Sequence, residues 1–251
     1  MNLCRSIPSA IFPVLLLLVA CSHRTPKATV EVIDTSLSIA PRAEQAALNA
    51  VQNQIAHMQR GDRLVLIPIT GDAANDAGGR ILRLSAPTQR ETYDTDLRRF
   101  HEQAQKQFVA WASSLDQHQS RTDLLGTLDA AQQEITLLPK ESSPRLIVVS
   151  DFLEDDGAYR FVSTRELADS VRARQLAVKL REQHGFVIQG VPLCLGRIES
   201  SDFARLPEAR KKAVEAFWSA YFAREDRPAE VQFDGTGLLT DADQGCSGGE
   251  R

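Results

Sequence analysis

Residues 28–38 read Ala28-Thr29-Val30-Glu31-Val32-Ile33-Asp34-Thr35-Ser36-Leu37-Ser38. The first five residues have the β-branched, apolar character of a buried strand. They run into an Asp-x-Ser-x-Ser loop, one carboxylate and two hydroxyls on alternate residues at the strand's carboxyl end. Hard cations take oxygen ligands, and Mg²⁺ commonly uses one or two carboxylates while keeping several waters. Asp34 with Ser36 and Ser38 therefore suits Mg²⁺ or Mn²⁺ better than metals that seek nitrogen and sulfur.

Outward from this stretch, helical and strand patterns alternate. Residues 41–58 place Ala47, Val51, Ile55 and Met58 on one stripe, with Pro41 in the first turn, where its missing N–H is harmless. Gly61-Asp62 breaks that helix, and Leu64-Val65-Leu66-Ile67-Pro68-Ile69 follows as a buried strand. Residues 71–79 form a polar loop, and residues 80–85 alternate apolar with basic side chains, as a half-exposed edge strand does. Residues 94–115 read as a long helix with Leu97, Phe100, Ala104, Phe108, Trp111 and Leu115 on its core stripe. Residues 122–138 read as another, with Leu125, Leu128, Ile135 and Leu138 on one face.

Leu146-Ile147-Val148-Val149 is a further buried strand, ending at Ser150-Asp151. Residues 165–184 are helical up to Gly185, after which Phe186-Val187-Ile188 opens a strand. Residues 207–223 carry Val214, Phe217, Trp218, Tyr221 and Phe222, a stripe that fits packing on the sheet better than docking of a partner. Glu230-Val231-Gln232-Phe233 closes the pattern with a last strand. Continuous apolar strands separated by helices predict an α/β fold: a doubly wound, mostly parallel sheet with helices on both faces.

Such sheets bind ligands beyond the strands' carboxyl ends, where the strand order reverses. Asp34 ends the first strand and Asp151 the fourth, so the two acids are expected to face each other across that crevice. Thr122 opens the helix before the fourth strand, in a Ser120-Arg121-Thr122-Asp123 loop at the same end. The topology thus converges five oxygen-bearing side chains: Asp34, Ser36, Ser38, Thr122 and Asp151.

With these residues in place, the chain resembles a von Willebrand factor A domain, and the five match that family's metal-ion-dependent adhesion site. Asp34, Ser36 and Ser38 stand for its first loop, Thr122 for the second-loop threonine, and Asp151 for the third-loop aspartate. The resemblance spans roughly residues 28–195 and implies a parallel-rich sheet with one antiparallel edge strand, which residues 80–85 can supply. It also implies one bound divalent ion and a protein partner that completes the ion's shell with an acidic residue. Two features depart from the family. Phe152 stands where a glycine usually follows the third-loop Asp, and the second loop lacks the usual glycines before Thr122. Each residue also has a plainer role available: Ser36 and Ser38 as caps of the helix that follows, Thr122 as the cap of its own helix, Asp151 as a turn-former. Asp155 and Asp156 read as a solvated acidic loop.

The N-terminus bears on the compartment. Arg5 precedes the short apolar run Ile11-Phe12-Pro13-Val14-Leu15-Leu16-Leu17-Leu18-Val19-Ala20, which is shorter than a comfortable membrane span and fits a secretory signal. The ending Leu18-Val19-Ala20-Cys21 resembles the bacterial lipoprotein signal. That implies removal of residues 1–20, acylation of Cys21 (palmitate among its chains), a tether over residues 21–27, a domain over 28–233 and a flexible tail over 234–251. Ser22 after the cysteine implies the outer membrane, facing the periplasm, and a multiply acylated cysteine is a stable anchor. Cys194 and Cys246 then remain for a candidate disulfide in an oxidising compartment, two free thiols being the alternative.

About 230 residues after the signal suffice for one core. The balance of 29 Lys and Arg against 33 Asp and Glu, without a basic run, argues against nucleic acid as partner. No Gly-x-Gly-x-x-Gly follows the first strand, which excludes the dinucleotide fingerprint. Ser36, Asp151 and His184 lack a Gly-x-Ser-x-Gly elbow, and His184 falls at the wrong end of the sheet for a hydrolase triad. A metal-dependent phosphoryl hydrolase would want a second first-loop Asp and a Lys. The reading is therefore a non-enzymatic interaction module working through a divalent ion. A metal-free envelope scaffold is the main alternative.

Overall fold

The computed structural model describes residues 24–73, 80–88, 93–115, 121–186 and 190–223. Strand β1 (Lys27–Asp34) is the centre of a five-stranded sheet in the order β3-β2-β1-β4-β5. It is flanked in parallel by β2 (Arg63–Ile69) and β4 (Ser143–Ser150), and β4 is paired in parallel with β5 (Leu193–Arg197). Strand β3 (Leu82–Ser85) is the antiparallel edge, and its alternating exposure follows the apolar and basic alternation of its sequence. The chain adds strands on one side of β1 and then on the other, so the order reverses between β1 and β4, where Asp34 and Asp151 lie.

Both faces of the sheet are covered. Val30, Val32, Val65, Ile67, Leu146 and Val148 pack under α3 (Leu124–Thr136), α4 (Ser170–His184) and α6 (Glu208–Tyr221). The opposite side chains meet α1 (Pro41–His57) and α2 (Tyr93–Ser114): Ile33, Leu64 and Leu66 against Val51, Ile55, Phe108 and Trp111. Ile147 and Val149 lie against Ala43, Ala47 and Ala50 of α1. Strands sandwiched between two helical layers have no wet face, which is why they are almost wholly apolar. Phe217, Trp218 and Tyr221 are fully buried, so the aromatic stripe of α6 is core.

Some boundaries differ from the sequence reading. Phe186 is not in a strand and residues 187–189 lie outside the described residues; the fifth strand forms at Leu193–Arg197. The short apolar run after Gly185 has no length signal to separate a strand from a packed loop. The helix of residues 165–184 is two pieces, a 3₁₀ turn at Arg165–Ala168 and then α4. Asp169 caps α4 by accepting the N–H groups of Val171 and Arg172. Arg24 to Lys27, the described part of the expected tether over residues 21–27, are tied to the domain. Both terminal guanidinium nitrogens of Arg24 donate to the Asp62 carboxylate at 2.9 and 3.0 Å, and the Lys27 N–H donates there as well. Residues 1–23 and 224–251, hence the signal, Cys21, the strand at 230–233, Cys246 and the tail, lie outside the described residues. Cys194, buried on β5, is disulfide-bonded, and the chain's other three cysteines all fall outside the described residues. Among the described residues, no helix is long and apolar enough to cross a membrane.

Candidate metal centre at the strand ends

Asp34 is the last residue of β1 and is fully buried, not a loop residue in solvent. One of its oxygens accepts the Ser36 N–H at 3.0 Å, and the other accepts the Ser150 hydroxyl at 2.7 Å. The Ser36 and Ser38 hydroxyls lie 3.1 Å apart, and the Ser38 hydroxyl donates to Asp151 Oδ2 at 3.1 Å. Asp151 Oδ1 accepts the Leu153 N–H at 2.9 Å, so Asp151 does form the local turn while also facing the first loop. Four of the five sequence-predicted residues are thus joined in one hydrogen-bonded chain across two loops. Thr122, from the second loop, joins them by lining the same cleft of about 210 Å³ as Ser36 and Ser38.

The plainer capping roles do not survive the geometry. Helix α1 is capped at Ala40 with no side-chain bond, so neither Ser36 nor Ser38 is spent as its cap. The cap of α3 is Asp123, whose side chain accepts the Gly126 N–H, while Thr122 pairs backbone to backbone with Asp155. That pairing pins the second loop to the third: Thr122 N–H to Asp155 O at 3.1 Å, and Asp155 N–H to Thr122 O at 2.8 Å. Asp155 is accordingly not a free solvated acid. It borders the cleft and pairs with Arg160 at 3.0 Å.

Burial shapes the electrostatics. Loss of water raises the Asp34 carboxyl above its ordinary value, the bonds from Ser150 and Ser36 opposing. Burial pushes Asp151 up to about 7, the negative charge of Asp34 adds to the rise, and hydrogen bonds from Ser200, Leu153 and Ser38 oppose it. Two buried carboxyls, both raised by burial and one of them raised further by the other's charge, are the arrangement a cation relieves. Among the described residues no group of three or more His, Cys, Asp or Glu side chains could hold a metal, so an ion here would rest on hydroxyls and two carboxylates. That all-oxygen set fits a small hard cation.

Several supporting residues escaped the sequence reading. Ser150 sits directly before Asp151 and anchors Asp34. Ser200 supports Asp151 and, beside it, the Ser201 N–H donates to the Ser38 carbonyl at 2.9 Å, so the loop after β5 buttresses the first loop. The Ser200 side chain also caps the short α5 (Ser201–Arg205), and the Glu199-Ser200-Ser201-Asp202 run was the available signal. Glu154 is buried beside the cleft; one of its oxygens accepts the Leu125 N–H at 2.9 Å, and burial raises its carboxyl.

Phe152 explains the departure from glycine. Its φ is 63°, the left-handed region that favours glycine and strains a bulky side chain. It is held there from both sides. The Phe152 N–H donates to Ser150 Oγ at 2.9 Å, and Trp218 Nε1 donates to the Phe152 carbonyl at 2.8 Å. The fully buried ring also packs on Trp218, centroid to centroid at 5.8 Å. The backbone after Asp151 is therefore set by α6 through tertiary packing.

Fold and site together define an α/β domain with an oxygen-lined cleft at its topological switch point. No family model and no curated protein matches the chain. Among solved structures it is similar to an aerotolerance-related membrane protein from Bacteroides fragilis, at 13% identity and TM-score 0.44, over 88% of this chain and 98% of that one. It is also similar to a von Willebrand factor type A protein from Catenulispora acidiphila, at 16% identity and TM-score 0.34, over 77% of this chain and 43% of that one. A third likeness is to the N-terminal domains of the type V pilus tip protein Mfa5 from Porphyromonas gingivalis, at 18% identity and TM-score 0.36, over 63% of this chain and 27% of that one. Likenesses this low in identity and superposition carry no functional argument.

Proposed function

We propose that this chain is a lipid-anchored protein-interaction module of the bacterial cell envelope, a von Willebrand factor A-like domain that captures a protein partner through one divalent ion. The observation that carries the reading is the hydrogen-bonded chain Asp34–Ser36–Ser38–Asp151 beneath a cleft that Thr122 also lines. Ser36, Ser38 and Thr122 would hold Mg²⁺ or Mn²⁺ directly, with Asp34 and Asp151 acting directly or through waters. When bound, the ion supplies an electrophilic position that a partner's Asp or Glu fills. Asp34 and Asp151 offset most of the ion's charge and the neutral hydroxyls add none, so a coordination position stays open to that carboxylate, and no bond need be broken. The membrane part of the proposal rests on Leu18-Val19-Ala20-Cys21.

The test is a thermal unfolding series with Mg²⁺, Mn²⁺ or EDTA. At ~100 times its Kd, an ion bound only by the native state adds about 2.7 kcal/mol. For a domain of this size that is a rise of roughly 5–10 °C in Tm. Asp34→Asn should remove the shift while keeping the side chain's shape, whereas Asp34→Ala would also strip the partner from Ser150. A pull-down from envelope extract should retain a protein with Mg²⁺ and lose it with EDTA. No Tm shift and no calorimetric binding at millimolar ion would leave a metal-free scaffold as the function.

A further inference from the structure

The parallel strands β2, β1, β4 and β5 all start at one end of the domain and finish at the other, where the candidate metal cleft lies. The eight residues of β1, at ~3.3 Å each, set those ends roughly 26 Å apart. Cys21 is three residues before Arg24, and three Cα–Cα steps of ~3.8 Å reach at most about 11 Å. Arg24 is bonded to Asp62 just before β2, and the Ser143 N–H at the start of β4 donates to the Pro26 carbonyl at 2.9 Å. The chain therefore enters the fold at the centre of the end opposite the cleft.

The side chains of that end are a separate observation. Arg60 and Arg63 flank Gly61-Asp62, and Lys140 stands in the turn before β4; Arg63 and Lys140 are exposed and Arg60 is half-buried. Against them stand the exposed Glu141 and the buried Asp62, which is paired with Arg24. The first turns of α2, which His101 ties to the Met58 carbonyl at this end, balance Asp94 and Asp96 with Arg98 and Arg99. Leu137 closes α3 three residues before Lys140 and is 73% exposed, more than any other large apolar side chain among the described residues. An exposed leucine beside basic side chains is what settles into an anionic headgroup layer. The cleft lining at the far end carries Glu154, Asp155 and Asp202 with no Lys or Arg, which such a surface repels.

We propose that the end of the sheet opposite the cleft is a membrane-docking face: Arg60, Arg63 and Lys140 rest on anionic phospholipid headgroups, Leu137 enters the interfacial layer, and the cleft points away from the bilayer. The proposal rests on the lipid-anchor reading and is independent of the ion. Acylation of Cys21 limits the distance to the membrane, and the basic and apolar side chains set the orientation. Each basic side chain should favour the docked state about fivefold (~1 kcal/mol), an effect that salt screens.

The test uses the mature acylated protein on phosphatidylcholine vesicles made with or without phosphatidylglycerol. Leu137→Cys, labelled with an environment-sensitive nitrobenzoxadiazole dye, reports the docking face, and Leu37→Cys reports the cleft end; unsubstituted protein treated alike gives the background. Flotation with the vesicles measures anchoring separately. With phosphatidylglycerol present, dye emission from position 137 should shift to the blue while that from position 37 stays as in water. The shift should be lost on pure phosphatidylcholine and in a label-bearing Arg63→Glu, Lys140→Glu variant, whose Tm checks that the fold persists; the lipid comparison decides alone if it does not. Protein that floats with the position 137 dye still in water, a blue shift at position 37, or a position 137 shift that is equal without phosphatidylglycerol or survives charge reversal in the folded variant would overturn the docking face while leaving the anchor standing. Protein that fails to float would overturn the anchor reading and the docking face with it.

Discussion

Glu31 lies midway along the central strand, between Leu66 on β2 and Ile147 on β4, with no exposure to solvent. Neither of its carboxylate oxygens has a hydrogen-bond partner. Burial pushes its carboxyl from 4.5 to about 7, with the Arg145 guanidinium pulling the other way. A carboxyl whose folded value is raised binds its proton more tightly in the native state than in the unfolded chain. Its contribution is therefore fully present below pH ~4.5 and is lost as pH rises through about 7. At ~1.36 kcal/mol per unit, the loss by alkaline pH is roughly 3 kcal/mol. Glu31→Met, an unbranched apolar side chain of similar length, removes both the ionisable group and the unpaired polar atoms.

Urea unfolding at pH 5 and pH 8 should show the variant gaining on wild type by about 2–3 kcal/mol more at pH 8 than at pH 5. Glu31 is three residues before Asp34, roughly 10 Å along the strand. The metal-dependent Tm shift should therefore persist in the variant. Equal wild-type and variant pH profiles, or a variant less stable than wild type at pH 8, would refute the picture of an unpaired carboxyl in the core.

Phe152→Gly relieves the left-handed backbone, worth ~1–2 kcal/mol, and forfeits a buried aromatic side chain worth ~3–5 kcal/mol. Net destabilisation of about 2–3 kcal/mol is expected by denaturant titration, and a stabilised variant would show that the ring is not needed at this turn. Intact-mass analysis of membrane-extracted protein should show residues 1–20 removed and acyl mass on Cys21; a product retaining Met1 contradicts the anchor. Thiol labelling of denatured, unreduced protein should leave both Cys194 and Cys246 unmodified if they pair with each other, and a reactive Cys246 would rule that pairing out.

Read alone, the sequence determined the layered α/β plan. Apolar runs at 28–33, 64–69 and 146–149, separated by stripes of helical period, have few ways to bury themselves other than a parallel sheet between helices. The antiparallel edge was legible at 80–85 because alternation of apolar and basic residues has the period of a strand with one wet face. The meeting of Asp34, Ser36, Ser38 and Asp151 was legible because strand order places the carboxyl ends of β1 and β4 side by side. Tertiary structure alone decided three things. It put β5 at Leu193–Arg197, where register with β4, not local composition, selects the strand. It joined Asp34 to Ser150, Asp151 to Ser200 and Thr122 to Asp155, partners 116, 49 and 33 residues apart that no local pattern announces. And it held Phe152 in a glycine conformation, because Trp218 of α6 supplies both the hydrogen bond and the packing that oppose the strain. Helix and strand periods are short-range and can be read along the chain, whereas the support of a site is assembled from loops that meet only once the sheet has formed.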